Sequence, residues 1–238
     1  MMKMMILAGR RAQMTHDDFR RYVVDIHGPL VKSVPEVAGA IRRYHYNFPV
    51  QGARDPIFDL PLPDHLDIVT QGWFDSREAQ LANMAEPRYL SIVRPDEGRF
   101  ADESRALMHY TQEVLVRDGE LTACKVFYFR RRRAGLTRSQ FQAAWRTRFA
   151  DALRASDGFD RFCSRYIQNH TMPEAEHPRG SDSRYFDVID EVCLHAAVDT
   201  QQVPIDEATL ASVRALEAEL TEVALTRALV TETVVNIP

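Results

Sequence analysis

His27 lies in the stretch DIHGPL (25–30), at the point where an amphipathic helical pattern runs out. An imidazole titrates near neutrality and can pass a proton without any cofactor. Gly28-Pro29 reads as a helix stop. That puts His27 at a helix C-terminus, where partial negative charge favours imidazolium. The same place equally suits a structural histidine that caps backbone carbonyls. In RYHYN (43–47), strand alternation sets Tyr44 and Tyr46 on one face, with Arg43 and His45 on the other. A phenol there can donate to a developing enolate or carboxylate oxygen, or simply pack its ring and satisfy its hydroxyl. In LDIVTQGWF (66–74), Thr70 and Gly72 share a face with Leu66, Ile68 and Phe74. A strand glycine often leaves room beside a ligand, and Thr70 is the nearest polar neighbour on that face. The segment 48–65 is long for a hairpin connection and reads as a lid. Its Ile57, Phe58, Leu60 and Leu62 would cover a pocket and His65 would close it. The alternative is a proline-stiffened loop packed on the other half. The run RRRR (130–133) follows a strand and reads as a solvated strand end.

The elements that must carry these residues are written twice. LAGRRAQMTHDDFRRYVVDIH (7–27) aligns without gaps with FRRRRAGLTRSQFQAAWRTRF (129–149), at an offset of 122. RYHYN meets RYIQN (165–169) at the same offset, and LDIVTQGWF meets FDVIDEVCL (186–194) at an offset of 120. TQEVLV (111–116) meets TETVVN (231–236) at 120. A duplicated domain of ordinary size is expected, with repeat 1 at 1–118, repeat 2 at 122–238 and the seam at VRDGEL. Each copy opens on a strand, then a helix begun by Thr15 or Thr137 with a side-chain oxygen three residues on. Two strands, further helices and a fourth strand follow. The plan is β-α-β-β-α-β, ferredoxin-like, and the expected fold class is α+β. Two such repeats bury their bare sheet faces against each other as an intrachain α/β barrel.

The copies diverge at the chemistry. Phe149 stands in the place of His27, Arg148 in that of Ile26, and Glu191 in that of Gln71. Phe cannot transfer a proton, so repeat 1 is expected to hold the working pocket and repeat 2 to complete the barrel.

Bulk composition excludes several classes. The chain has 238 residues, 45% hydrophobic and 27% charged, with a formal net charge of -4. Neither nucleic acid nor an anionic membrane is an expected partner. Three cysteines without a CxxC pair argue against a disulfide framework or a zinc site. No apolar run reaches membrane-spanning length, and a cytoplasmic location is expected. No phosphate loop, GxSxG, HExxH or dinucleotide fingerprint occurs.

One set of residues carries a family resemblance: Arg10-Arg11, Thr15, Phe19, His27-Gly28-Pro29-Leu30, Trp73-Phe74-Asp75-Ser76, and Asp96-Glu97 with Phe100 and Asp102. In this succession the first copy resembles the EthD domain family of dimeric α/β barrel proteins. The second copy departs from it, with Phe149-Ala150-Asp151-Ala152 in place of the His-Gly-Pro-Leu motif. Characterised members include cofactor-free isomerases and fungal polyketide decarboxylases or dehydratases. The resemblance to the family's methylmuconolactone methylisomerase implies active-site roles for His27 and Tyr44. That enzyme's loop histidine has a counterpart of different position in His65. Its active-site cysteine falls at Gly72, which speaks against the same isomerisation.

The reading that results is a cofactor-independent lyase or isomerase on a hydrophobic oxygenated small molecule: a lactone, an aromatic catabolite or a polyketide-like ring. His27 and Tyr44 are its catalytic residues, and Tyr46, His65, Thr70 and Gly72 line the substrate. No metal or cofactor is expected, and a homodimer of two-repeat chains is compatible with the pattern. The alternatives are a cofactor-free monooxygenase and a non-catalytic small-molecule carrier.

Overall fold

A computed structural model describes residues 1–173, 185–195 and 205–238. Most of the second half's connection between its second and third strands lies outside the described residues, as does the segment 196–204. The fold is α+β, with a closed antiparallel barrel of eight strands in the order β1-β3-β2-β8-β5-β7-β6-β4. Its contacts divide into two units. Unit 1 comprises 1–48, 64–111 and 233–238; unit 2 comprises 49–63 and 112–232.

In unit 1, β1 (Met2–Ala8) runs antiparallel between β3 (Ile68–Phe74) and β4 (Leu107–Arg117), and β2 (Arg43–Pro49) pairs on the far side of β3. The order β4-β1-β3-β2 is the ferredoxin-like one. Alternation aligns Met4, Gly72 and Tyr44 in one cross-strand row and Ile6, Thr70 and Tyr46 in the next. Between β1 and β2, helix α1 (His16–Tyr22) is capped by Thr15, whose side chain accepts from the Asp18 amide at 3.1 Å. Contrary to the expected stop, the helix does not end at His27. It passes through a π-helical turn (Val23–His27) straight into α2 (Gly28–Lys32). The Gly28 amide bonds back to Val23 O, five residues away, and Pro29 sits in the first turn of α2, where no backbone donor is needed. His27 is therefore inside a helix and caps nothing. After α3 (Pro35–Ala38), β2 and β3, the second helical layer is α4 (Arg77–Ala85), another π-helical turn (Tyr89–Val93) and α5 (Arg94–Phe100).

Unit 2 repeats the plan. β5 (Cys124–Arg130) lies antiparallel between β7 (Val188–Leu194) and β8 (Arg227–Ile237), with β6 (Cys163–Thr171) beyond β7. Helix α6 (Arg138–Ala144) starts on a full capping box, Thr137 with Gln140. It too continues through a π-helical turn (Trp145–Phe149) into α7 (Ala150–Arg154), followed by α8 (Asp157–Phe162). The second helical layer is α9 (Glu207–Leu220). One detail is shared closely. Arg10 ion-pairs with Asp67 and gives its Nε to Met14 O at 3.0 Å; Arg132 pairs with Asp187 and gives its Nε to Leu136 O at the same distance. Each pair fastens the start of a helix to the start of a strand.

Two expectations fail in unit 2. Arg130 is no solvated strand end: it is 1% exposed and ion-paired with both Asp190 and Glu217. The segment 49–63 belongs to unit 2, where Ile57 joins the apolar core and Phe58 and Leu60 pack against it. It therefore cannot be a lid over the first repeat.

Candidate functional site

In unit 1 the chemistry gathers between the two helical layers. His27 Nδ1 lies 3.0 Å from Asp96 Oδ2, and Tyr22 donates its hydroxyl to Asp96 Oδ1 at 2.7 Å. His27 and Asp96 are each 4% exposed. The π-helical turn aims the imidazole at α5, and Phe100, one turn beyond Asp96, packs on the ring with centroids 4.7 Å apart. Arg99 reaches within 3.6 Å of Asp96 from the exposed side. A carboxylate accepts, so Nδ1 carries the hydrogen and Nε2 carries the lone pair. No hydrogen bond among the described residues reaches Nε2. Burial pushes the His27 imidazole below its ordinary pKa, and the Asp96 carboxylate works against that shift. The imidazole is held neutral and in one orientation, with Nε2 unengaged.

The next residue on α5 looks elsewhere. Glu97 accepts from the Tyr89 hydroxyl at 2.8 Å and is paired with Arg94 at 3.3 Å. Burial raises its carboxyl above the usual carboxylate range, and the Tyr89 bond and Arg94 oppose the rise. Tyr44 is buried; burial first and Glu97 second raise its phenol. Its hydroxyl makes no hydrogen bond among the described residues, and the raised pKa keeps it protonated, hence a donor, at neutral pH. Tyr46 packs edge-on against Tyr44 with centroids 5.2 Å apart. Asn236 ties this sheet face to the histidine segment, reaching Gly28 O at 3.4 Å and the Tyr46 hydroxyl at 3.5 Å. Gly28 is required there, because a Cβ would stand 2.8 Å from Asn236 Oδ1 and 3.2 Å from Val23 O.

The structure thus brings His27 into a buried cluster, sets Tyr44 and Tyr46 on the helix-facing side of the sheet, and leaves Thr70 buried in the row of Tyr46. It corrects two assignments. Gly72 does not open space: a Cβ would meet the rings of Phe74 at 3.1 Å and Tyr44 at 3.3 Å, so the missing side chain is what lets those rings close. His65 is exposed in a turn with a left-handed backbone (φ 56°), beside Asp102, and shares nothing with His27. Sequence reasoning missed Asp96 as the partner of His27 and Tyr22 as a second donor to Asp96. Asp96-Glu97 was visible as part of the family pattern, but helical spacing cannot say which carboxylate meets the imidazole.

Unit 2 fills the corresponding space differently. Asp190, on β7, accepts from Trp145 Nε1 at 3.0 Å, from the Tyr166 hydroxyl at 2.8 Å and from Arg130 Nε at 3.4 Å. Phe149, where unit 1 has His27, stacks on Trp145 with centroids 3.7 Å apart. A small, partly open cavity of about 10 Å³ lies against Tyr128, Arg130, Phe149, Tyr166 and Asp190. Among the described residues, no group of three or more His, Cys, Asp or Glu is placed to hold a metal ion, and no helix is long and apolar enough to cross a membrane.

Fold and site together define a ferredoxin-like α+β barrel protein with a buried imidazole–carboxylate pair, and comparison with known proteins narrows this further. Residues 11–104 match the EthD domain. The chain is 32% identical over 117 residues to a conidial pigment biosynthesis dehydratase of Metarhizium robertsii, covering 46% of this chain and 82% of that protein. It is 29% identical over 107 residues to a dehydratase of Ustilaginoidea virens, covering 43% of this chain and 76% of the relative. The chain belongs to the EthD domain family. Among solved structures, an anthrone oxidase-like protein superposes with a TM-score of 0.63 at 9% identity, covering 98% of this chain and 90% of the other. A protein from Fusobacterium nucleatum described as a monooxygenase superposes at 0.58 with 5% identity, covering 98% and 93%. These likenesses concern the fold.

Proposed function

We propose that this chain is a cofactor-independent dehydratase, a lyase that removes water from a hydrophobic β-hydroxy carbonyl compound such as a polyketide-like ring. The observation that carries the proposal is the buried His27–Asp96 pair with Nε2 unengaged. The names of the relatives support the reaction class. Asp96 fixes the tautomer, and His27 Nε2 takes the proton on the carbon next to the carbonyl. The electrons of that C–H bond pass into an enolate, whose oxygen accepts a hydrogen bond from the neutral Tyr44 hydroxyl. As the enolate collapses, the C–O bond to the β-hydroxyl breaks, and the imidazolium returns its proton to the departing oxygen. Water leaves, a conjugated enone remains, and His27 is neutral again. Tyr46 and Thr70 form the floor of this site. Within the same proposal, the chain is a tandem pair of repeats, 1–118 and 122–238, and the first performs the reaction.

The test is to incubate purified chain with cyclic β-hydroxy ketones and follow the enone absorbance together with mass loss of one water. His27→Ala should lower turnover by about 10²–10⁴-fold, the usual worth of a positioned general base. It should also cost about 1–3 kcal/mol of stability because the buried Asp96 carboxylate loses a donor, so turnover is compared on variant protein that urea unfolding shows to be folded. Retained turnover in that variant removes His27 from the mechanism.

A further inference from the structure

We propose that Asn236 is a positioning residue for His27, so that the imidazole in the first half of the chain is held on its carboxylate by the end of the last strand. The kinetic consequence of this role rests on the dehydratase reading; its geometry does not. β8 is divided between the units: residues up to 232 belong to unit 2, whereas 233–238 belong to unit 1. A bond to buried Asn47 pins that end in place. Thr233 donates its hydroxyl to Asn47 Oδ1 at 2.7 Å, and Asn47 is fixed in turn by giving Nδ2 to Val69 O at 2.7 Å and to Gln71 Oε1 at 3.1 Å.

The Asn236 side chain then stands between the sheet and the histidine segment. Its Nδ2 is 3.4 Å from Gly28 O and 3.5 Å from the Tyr46 hydroxyl. Both bonds are long, and the fit is steric as much as polar. The amide occupies the room that a side chain on residue 28 would need, with a Cβ there 2.8 Å from Oδ1 and 3.3 Å from Cγ. Gly28 follows His27 directly, and its N–H closes the π-helical turn on Val23 O. That turn sets the direction of the His27 Cα–Cβ bond, and a change in it draws Nδ1 off Asp96, 3.0 Å away. Unit 2 bridges sheet and turn differently. Gln168, in the place of Tyr46, reaches the corresponding turn by itself, giving Nε2 to Trp145 O at 3.0 Å. Val116 stands in the place of Asn236, Ala150 in that of Gly28 and Phe149 in that of His27. The amide, the glycine and the imidazole occur together in unit 1 and are replaced together in unit 2.

The experiment is ¹⁵N NMR of the full chain labelled at histidine, at about pH 8, where an ordinary imidazole is neutral. His27→Gln identifies the His27 signals by their loss. In the wild type His27 should show one tautomer, protonated at Nδ1. Asn236→Val, which installs the residue of the other unit, and Asn236→Ala, which cannot crowd Gly28, should each give a mixture with the Nε2-protonated form. Thr233→Val removes the neighbouring bond without touching Gly28; it should lower the melting temperature and leave His27 in one tautomer. With a substrate that the wild type dehydrates, Asn236→Val should lower kcat by about 10–10²-fold and leave KM nearly unchanged, as expected for a misplaced group. A mixture already in the wild type, a single Nδ1-protonated form in both Asn236 variants, or the same mixture in Thr233→Val would each overturn the proposal. A tautomer change in the Asn236 variants of a chain that dehydrates nothing would uphold the positioning role and remove the dehydratase reading.

Discussion

Both units place a carboxylate beneath a tyrosine hydroxyl in the space between sheet and helices, yet they assemble it from different elements. In unit 1 the carboxylate is Asp96 on α5, the phenol is Tyr22 on α1, and the third group is an imidazole. In unit 2 the carboxylate is Asp190 on β7, the phenol is Tyr166 on β6, and the third group is a guanidinium. The difference is one of chemistry. A histidine can change its protonation state near neutral pH, whereas an arginine stays charged. The same architecture therefore carries a group able to titrate near neutral pH in one unit and a fixed charge cluster in the other.

The comparison makes predictions that run from large to small. The largest is on turnover: Asp96→Asn keeps the shape but no longer fixes the His27 tautomer. By analogy with other buried Asp–His pairs, the rate should fall by about 10²-fold or more. Asp190→Asn should leave the rate nearly intact if unit 2 takes no part. Steady-state kinetics on both variants checks the pair, and equal losses would end the distinction. On stability the ranking reverses. Asp190→Ala leaves Arg130 buried beside Glu217 alone and should cost about 3–5 kcal/mol. Asp96→Ala strands two neutral buried donors, while the exposed Arg99 turns to solvent, and should cost about 1–3 kcal/mol. Urea unfolding measures both.

The pH dependence sharpens the same contrast. His27 has a folded-state pKa below the ordinary 6.5, because burial penalises the imidazolium more than Asp96 favours it. The acid limb of the rate profile should therefore lie below pH 6.5, and Asp96→Asn should move it lower still. Stability follows the same sign. The unfolded chain takes up protons near 6.5, while buried His170 is held down to about 3. Stability is full above pH 6.5 and declines as the pH falls toward 3; His170→Gln should flatten that decline in melts recorded across the range. The smallest effect is Tyr22→Phe, which removes one hydrogen bond to Asp96 and should cost about 1 kcal/mol, with the acid limb shifted slightly upward as Asp96 gains negative character.

Much of this frame was legible in the chain. The repeated Thr-capped helices, the alternation of Tyr44 with Tyr46, and the order of strands and helices all follow from local patterns. A cap needs a hydroxyl at a fixed offset, and a strand alternates faces every second residue. His27 was legible as a residue able to exchange protons. Its setting was not: Gly28-Pro29 looks like a stop, but a π-helical turn carries the helix through, and only long-range contacts reveal that. Gly72 and His65 misled for a similar reason. A glycine reads as vacancy until neighbouring rings are placed, and a loop histidine reads as mobile chemistry until its turn is fixed by backbone geometry.

The sequence by itself determined the element order, the polarity of each strand face and the loss of an imidazole at Phe149, because these depend on residue type and spacing alone. The tertiary structure alone decided that Asp96 meets His27, that Arg130 is buried between two carboxylates, and that the segment carrying Phe58 packs in unit 2. Each of these joins residues far apart in the chain, where partner choice rests on how whole faces pack and where a buried charge can find its counter-ion.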